Sequence, residues 1–528
     1  MIFAAPSAGA QPRSAPAAKS AAPDASDALF DKGLIPQLRI EIAPANLEKL
    51  RGDPRSYVRA NIVEDGKTTL SGVGIKLKGA AGSFREVDDR PALTINTEKF
   101  AKDQSFHDLR KFHLNNSVQD DTYLNELLCS ELLRSAGVPA TRVTHARVWI
   151  NGRDLGLYVL KEGFDRRFLK RHFSDPNGNL YEGGFVQDID AELRKDSGDG
   201  PDDLSDLAAL RAACAEPDPA RRWQLLAERV DVDALLTFVA MELMTCHWDG
   251  YSLNVNNYRM YFEPTRGRAC FLPHGMDQMF GDPGATILDR PRGMVTAAVM
   301  NNTEWRTKYR ERLRELLPLF SPPDKLLARV DLHTKRLRPV LAAMDPELAK
   351  RHGELVNELK DRLRARAANL REQVDQPDPQ PLAFNDDGIA ELPDWEPRSE
   401  SDDAVIEAVE LPGPRPAYSI QCGPSGQCVA SWRRRVLLAA GKYRFEARLK
   451  TQGVTPIKDD EKGLAAGLRV SGDKRTNKLQ GSSGWKSLSF DFTVREEVRE
   501  VELVAELRAS RGQVWFEADS LRLRRMEK

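Results

Sequence analysis

The stretch Thr245-Cys-His-Trp-Asp-Gly-Tyr-Ser-Leu-Asn-Val-Asn-Asn-Tyr-Arg-Met-Tyr-Phe262, continued by Glu263-Pro-Thr-Arg-Gly-Arg-Ala-Cys-Phe-Leu-Pro-His-Gly-Met-Asp-Gln-Met-Phe-Gly281, decides how this 528-residue chain is read. Arg259 to Phe262 and Ala269 to Leu272 have the composition of two short strands, joined by the turn Glu263-Pro264-Thr265-Arg266-Gly267. Two acids, Asp249 and Asp277, flank this hairpin, and Asn254, Asn256 and Asn257 lie between the first acid and the first strand. Asp-Gly-Tyr and Asn-Asn-Tyr are also ordinary turn formers, so a purely structural reading stands beside any chemical one.

The chemical reading rests on donor type and spacing. An acid on a loop can orient a hydroxyl and accept its proton. A side-chain amide downstream and a second carboxylate after the next strand can hold magnesium, a hard ion that prefers oxygen ligands. Phosphoryl transfer in protein kinases uses such parts: a catalytic-loop Asp, an Asn downstream of it, and a metal-binding Asp just before Phe-Gly. Asp249 and Asn254 have the kinase spacing, and Asp277 lies three residues before Phe280-Gly281. His247 and His274 sit near the acids, but this chemistry needs no histidine base, and they read as local hydrogen-bonding groups.

Upstream, Gln37 to Ile42 alternates like a strand, and Pro44 to Leu50 reads as a short helix with Pro in its first turn. Val58 to Glu64 and Thr69 to Lys78 are strands across the Asp65-Gly66-Lys67 turn. The loop Gly79-Ala-Ala-Gly-Ser83 can turn backbone N–H groups toward a phosphate, or serve only as a tight strand turn. Two further strands, Ala92 to Asn96 and Lys111 to Leu114, precede an amphipathic helix, Tyr123 to Ser135, which Gly137-Val138-Pro139 ends. Arg142 to Ile150 and Leu155 to Lys161 form a hairpin around Asn151-Gly152. Strands, one helix, then a hairpin is the order of a kinase-like small lobe. In it the helix carries Glu126 toward a phosphate-binding lysine, Lys78 or Lys111, each of which reads equally as a solvated strand-edge lysine. The acidic, turn-rich segment Asp188 to Pro219 reads as a solvated insertion. The apolar helix Val232 to Thr245 leads straight into Trp248-Asp249 and would fix that loop on a rigid element; Trp305 to Val374 is mostly helical.

These stretches, in this order, resemble the CotH kinase family, atypical protein kinases like spore coat protein H. The likeness is carried by Ile75-Lys-Leu-Lys-Gly79, Phe106-His-Asp-Leu-Arg-Lys-Phe-His-Leu-Asn-Asn116, Asp121-Thr-Tyr-Leu-Asn-Glu126 running on to Ala136-Gly-Val-Pro-Ala140, and Trp149-Ile-Asn-Gly152 to Gly156-Leu-Tyr-Val-Leu-Lys-Glu162, as well as the opening stretch. It spans residues 36 to 375. The resemblance implies an α+β chain whose atypical two-lobed protein-kinase-like domain uses ATP and Mg2+ (or Mn2+) to phosphorylate a Ser, Thr or Tyr of a surface or secreted protein. It implies Asp249 as the base, Asp277 as a metal ligand helped by Asn254 or Asn257, and Lys78 or Lys111 on the phosphates. It places Gly79 and Ser83 in a phosphate loop and Glu162 at the adenine-side hinge. Many members carry Trp-Asp-x-Asp or Trp-Asp-x-Asn where this chain has His274-Gly275-Met276-Asp277, so one acid of the pattern is missing. That gap supports a reading of another class, a non-catalytic surface or scaffold protein with a degenerate kinase-like fold. A metal-dependent hydrolase using the same two acids is a third.

Composition bounds the rest. Hydrophobic residues make up 41% and charged residues 30%, as in a globular chain, and a net charge of −1 gives no overall field for nucleic acid. No apolar run approaches the ~20 residues of a transmembrane helix. Six cysteines include no Cys-x-x-Cys, which argues against zinc; Cys422 and Cys428 bracket Gly-Pro-Ser-Gly-Gln and read either as a small disulfide or as free thiols. Residues 1–30 form an Ala/Pro/Ser-rich tail, expected to be disordered, whose Ala8-Gly9-Ala10 resembles the cleavage site of an export signal. The expected domains are a kinase-like domain over 31–375, a Pro-rich linker over 376–403 and an all-β sandwich over 404–528. The last resembles jelly-roll carbohydrate-binding modules, which implies a glycan partner stacked on Trp432 or Trp485; both also suit core or rim packing.

Overall fold

The computed structural model describes residues 25–80, 82–412, 415–457 and 463–526, so Ala8-Gly9-Ala10 and most of the expected tail lie outside the described residues, whereas its last residues open a helix, Ala25–Asp31, that buries Leu29 and Phe30 and is not disordered. The chain divides into two compact units, Met1–Ala215 with Gln224–Val299 and Thr307–Asp375, and Glu216–Trp223 with Met300–Arg306 and Gln376–Lys528.

The first unit is mixed α and β. Seven strands, alternating in β1 and buried on both faces over much of β4 to β7, close on themselves: β1 (Gln37–Ile42), β2 (Val58–Glu64), β3 (Thr68–Lys78), β4 (Ala92–Asn96), β5 (Lys111–Asn115), β6 (Val143–Ile150) and β7 (Arg153–Glu162) form a barrel in the order β1-β2-β3-β4-β5-β7-β6. Closure comes from β6 running parallel to β1, with Leu38 opposite Val148 and Ile40 opposite Ile150. Ile40, Ile62, Ile75, Leu93, Phe112 and Leu160 are buried in one continuous core. The intervening residues of β3, β4, β5 and β7 point the other way, which puts Lys78, Thr94, Lys111, His113, Asn115 and Lys161 on a single outer face. The strands expected of a small lobe are therefore present, and they form a closed barrel.

A second sheet has the order β11-β10-β8-β9, from β8 (Leu180–Glu182), β9 (Arg194–Ser197), β10 (Tyr258–Glu263) and β11 (Arg268–Pro273). β10 and β11 are the expected hairpin, with Tyr258 opposite Pro273 and Glu263 opposite Arg268. β9 lies in the segment expected as a solvated insertion; it is an edge strand instead, fixed by the Asp196 carboxylate accepting from Arg259 at 2.7 Å. The helix Val232–Met244 starts at Asp231, which caps Ala234 N–H at 3.2 Å, and is buried nearly throughout.

The second unit is built of sheets of the β-sandwich kind. Its two longest strands, Cys428–Pro456 and Gly481–Glu517, hold 29 and 37 residues. A straight strand of that length would run about 100 Å, so the chain bends and changes partner. Cys428 to Ala439 pairs in opposite sense with Ala509 to Val498, Lys442 to Val454 with Thr493 to Gly481, and Lys450 with Trp515. Residues 376–403 are not a free linker. Leu392 and Trp395 are buried in the sandwich core, and Ile389–Glu391 and Glu396–Ser399 join its sheets. Apolar side chains in a Pro-rich stretch override its linker-like composition.

Candidate active site

An antiparallel hairpin brings together the residues just outside its open end. Asn257 precedes β10 and His274 follows β11, and His274 N–H donates to Asn257 C=O at 3.1 Å. A second tie joins the ends of the same stretch, from Phe280 N–H to Thr245 C=O at 3.1 Å. The Asp249 and Asp277 segments are thus held side by side.

Asp249 is the hub of the loop. Its Oδ1 accepts from Asn254 Nδ2 at 2.6 Å, and its Oδ2 accepts from Asn256 Nδ2 at 3.0 Å and Asn257 Nδ2 at 2.8 Å. Asn257 Nδ2 also reaches the Asp249 carbonyl at 3.1 Å. Spending the Asn257 amide hydrogens on Asp249 leaves its Oδ1 as an acceptor. The backbone here is unusual: Cys246, Val255, Asn257 and Phe280 have φ of 59°, 53°, 49° and 56°. For a β-branched residue such as Val255 this is costly, and such costs gather where geometry is overdetermined.

Two buried groups hold the loop. Glu242, on the helix Val232–Met244, accepts from Tyr251 N–H at 3.0 Å and Ser252 N–H at 2.9 Å, capping the short helix Tyr251–Asn254. Burial pushes its carboxyl up to about 7, against the pull of those donors. Arg366, 1% exposed, donates to the carbonyls of Leu243 and Met244 at the end of that helix. Sequence reading missed both; a lone Glu in the most apolar helix of the chain was the available signal for the first.

The lysines sort differently from expectation. Glu126 does reach a lysine from its helix, Asn125–Ser135, but that lysine is Lys161 of β7, with the pair 2% and 4% exposed. Lys78 is linked at one remove: it donates to Asn115, which donates to Glu126. Burial and then Lys161 bring the Lys78 ammonium down to about 8, although Glu126 and Asp277 draw it up. Burial opposes ionisation of Glu126, yet Lys161 and Lys78 hold its carboxyl below the usual range. Asp277 lies among these groups. Its backbone carbonyl accepts from Asn125 Nδ2 at 2.9 Å, and burial, then Glu126, push its carboxyl up while Lys78 and Lys161 pull it down. His113 is buried among Lys78, Lys111, Lys161 and Arg259; burial and these cations keep its ring neutral, well below its ordinary range.

Other expected contacts are placed elsewhere. Lys111 pairs with Asp196 at 3.5 Å rather than with Glu126. The Glu162 side chain is 2% exposed and held by Arg142 at 2.9 Å and Arg171 at 2.6 Å, on the opposite side of β7 from Lys161. Strand alternation dictates this, since neighbours on β7 face opposite ways. In the expected phosphate loop Ser83 Oγ accepts from Ala80 N–H at 3.2 Å, and Ser83 and Phe84 N–H both go to Ala80 C=O. Those three N–H groups are already used. A cavity of about 690 Å³ lies behind the Glu126 helix, lined by Leu128, Leu132, Leu326 and others, and includes none of these residues.

Trp432 is not available to a ligand: it is 5% exposed and donates Nε1 to Ser419 C=O at 3.2 Å. Trp485 is half-buried, and Lys450 Nζ lies 5.5 Å from its ring centre and 4.6 Å from that of Trp515.

Oxygen donors suit a hard cation, and among the described residues no group of three or more His, Cys, Asp or Glu could hold a metal by itself. The Asp277 carboxylate and the Asn257 amide oxygen are donors of the type that a magnesium ion would take, with other oxygens needed to complete its shell.

Residues 75–370, more than half the chain, match the family described as CotH kinase protein, and the chain belongs to that family. Relatives include the inner spore coat protein H of Bacillus subtilis, 23% identical over 47% of this chain and 73% of that protein. Two others are the invasins CotH7 and CotH2 of Rhizopus delemar, 26% and 25% identical over 38% and 42% of this chain; the matches span only 34% and 42% of those proteins. Among solved structures, a carbohydrate-binding module in complex with β-1,4-galactotriose overlaps 26% of this chain and 91% of its own at 14% identity. A second, described as CBM4, overlaps 28% and 95% at 15% identity. Their TM-scores are 0.19 and 0.18.

Proposed function

We propose that this protein is an ATP- and Mg2+-dependent protein kinase of the CotH type, with Mn2+ as a substitute ion, which phosphorylates a Ser, Thr or Tyr of a surface or secreted protein. The observation that carries the reading is the hairpin that sets Asp249 with its asparagines beside Asp277, while Lys161, Glu126 and Lys78 surround Asp277. Family membership supports it, as do relatives named for a spore coat and as invasins, which also support a place at or beyond the cell surface. Among the described residues no helix is long and apolar enough to cross a membrane.

Asp249 orients the acceptor hydroxyl and takes its proton, with the three asparagine donors fixing the carboxylate. Asp277 and Asn257 Oδ1 would hold the metal, which neutralises charge on the β- and γ-phosphates. Lys161, kept straight by Glu126, and Lys78 stabilise the transferred group from the barrel side. The rate comes from positioning and charge, because little covalent chemistry is asked of the protein.

Incubation with labelled ATP and magnesium tests this. Transfer of label to protein in the wild type, reduced about 100-fold or more in Asp249→Ala with nucleotide binding retained, is the expected result. Nucleotide binding without transfer favours the non-catalytic scaffold, and turnover without ATP favours a hydrolase.

We infer a glycan-binding role for the second unit at Trp515, Lys450 and Trp485, beside a cavity of about 330 Å³ with Gln452, Ser482 and Ser483 in its lining. Loss of polysaccharide retention in Trp515→Ala, with labelling activity intact, is the expected outcome.

A further inference from the structure

We propose that Cys422 and Cys428 are a dithiol poised to close into a disulfide, so that the second unit is stapled when the protein reaches an oxidising compartment. The inference is independent of the kinase reading.

Geometry carries it. Cys422 follows the strand Arg415–Gln421 and donates its N–H to Gly512 C=O at 3.0 Å, with Sγ directed at Ala509 C=O at 3.7 Å. Cys428 opens the next strand and is the pairing partner of that same Ala509. The two thiols therefore meet over one residue of the neighbouring strand. The five residues between them are anchored without any help from sulfur. Asp403 accepts from Ser425 N–H at 2.7 Å and from Ser425 Oγ at 2.8 Å, and a β-carbon on Gly423 would collide with Asp403. The fold has already closed the loop, so forming the bond requires little further ordering.

The two sulfurs are unequal. Cys428 is fully buried, whereas Cys422 is half-buried and reachable. The neighbouring Cys428 thiol lowers Cys422 below its ordinary range, while Cys422 and burial raise Cys428. The order of steps follows. The Cys422 thiolate attacks a small-molecule disulfide, R–S–S–R, forming a Cys422–S–S–R bond and releasing one thiolate. Cys428 then attacks Cys422 Sγ and expels the second. Two electrons pass from the cysteine pair to the disulfide reagent, and the two thiol protons leave on two molecules of R–SH.

The test is to incubate the full chain with oxidised glutathione and to follow intact mass, peptide mapping and thermal unfolding. The expected product has lost two hydrogens, carries a Cys422–Cys428 cross-link and melts several degrees higher. Cys428→Ala, which fits the same buried site, should instead accumulate a glutathione adduct on Cys422. A wild type that keeps a lasting adduct without cross-linking, leaves both thiols unreacted, or pairs either one with another cysteine overturns the proposal.

Discussion

The amide side chain of Asn257 occupies the space that a β-carbon on Gly275 would need. The two lie well inside contact distance, and Gly275 is left-handed at φ 64°. An acid at position 275 is therefore excluded by the asparagine that also grips Asp249.

Introducing an acid at position 275 should not raise activity. Gly275→Asp and Gly275→Ala each force Asn257 aside and strain a backbone that favours glycine, which costs about 1 kcal/mol before any clash. Both variants should show lower phosphotransfer than wild type and a lower melting temperature. Equal or higher activity in Gly275→Asp would mean that Asn257 is free to move.

Lys161, rather than Lys78 or Lys111, should be the lysine whose loss most damages the barrel face. Lys161→Met leaves the Glu126 charge buried without its direct partner, at a cost of about 3–5 kcal/mol. The double variant Lys161→Met with Glu126→Gln removes the stranded charge and should recover part of that stability. Urea unfolding of the two variants reads the difference.

Nucleotide binding should weaken as pH rises through about 8, where Lys78 loses its proton in the free protein. The folded value lies below the ordinary 10.5, so the ammonium is present below pH 8 and is lost above it. Binding titrations at pH 7 and 9 should differ in the wild type. In Lys78→Met the affinity should be lower at pH 7, with this pH step gone.

Glu242 gives an opposite kind of pH signal. Its folded value of about 7 lies above its ordinary 4.5, so between these values the folded chain holds a proton that the unfolded chain has released. Stability from this group is full below pH 4.5, falls by up to about 3 kcal/mol toward pH 7 and is flat beyond. Glu242→Gln should lose this slope, and also one of the two hydrogen bonds to Tyr251 and Ser252. The comparison is made by denaturant unfolding of both proteins at pH 5 and pH 7.5.

By itself the sequence determined the local pieces: the strand pairs around Asp65-Gly66 and Asn151-Gly152, the helix bearing Glu126, and the hairpin between Asp249 and Asp277. Period-two and helical patterns and turn residues are short-range signals, and a hairpin joins its own flanks whatever surrounds it. Only the tertiary structure decided which lysine meets Glu126, that Glu162 turns to Arg142 and Arg171, that residues 376–403 join the sandwich, and that β6 closes a barrel on β1. Those outcomes depend on strand order and on which face of each strand its neighbours cover, and partners far apart in the chain leave no trace of their meeting in local composition.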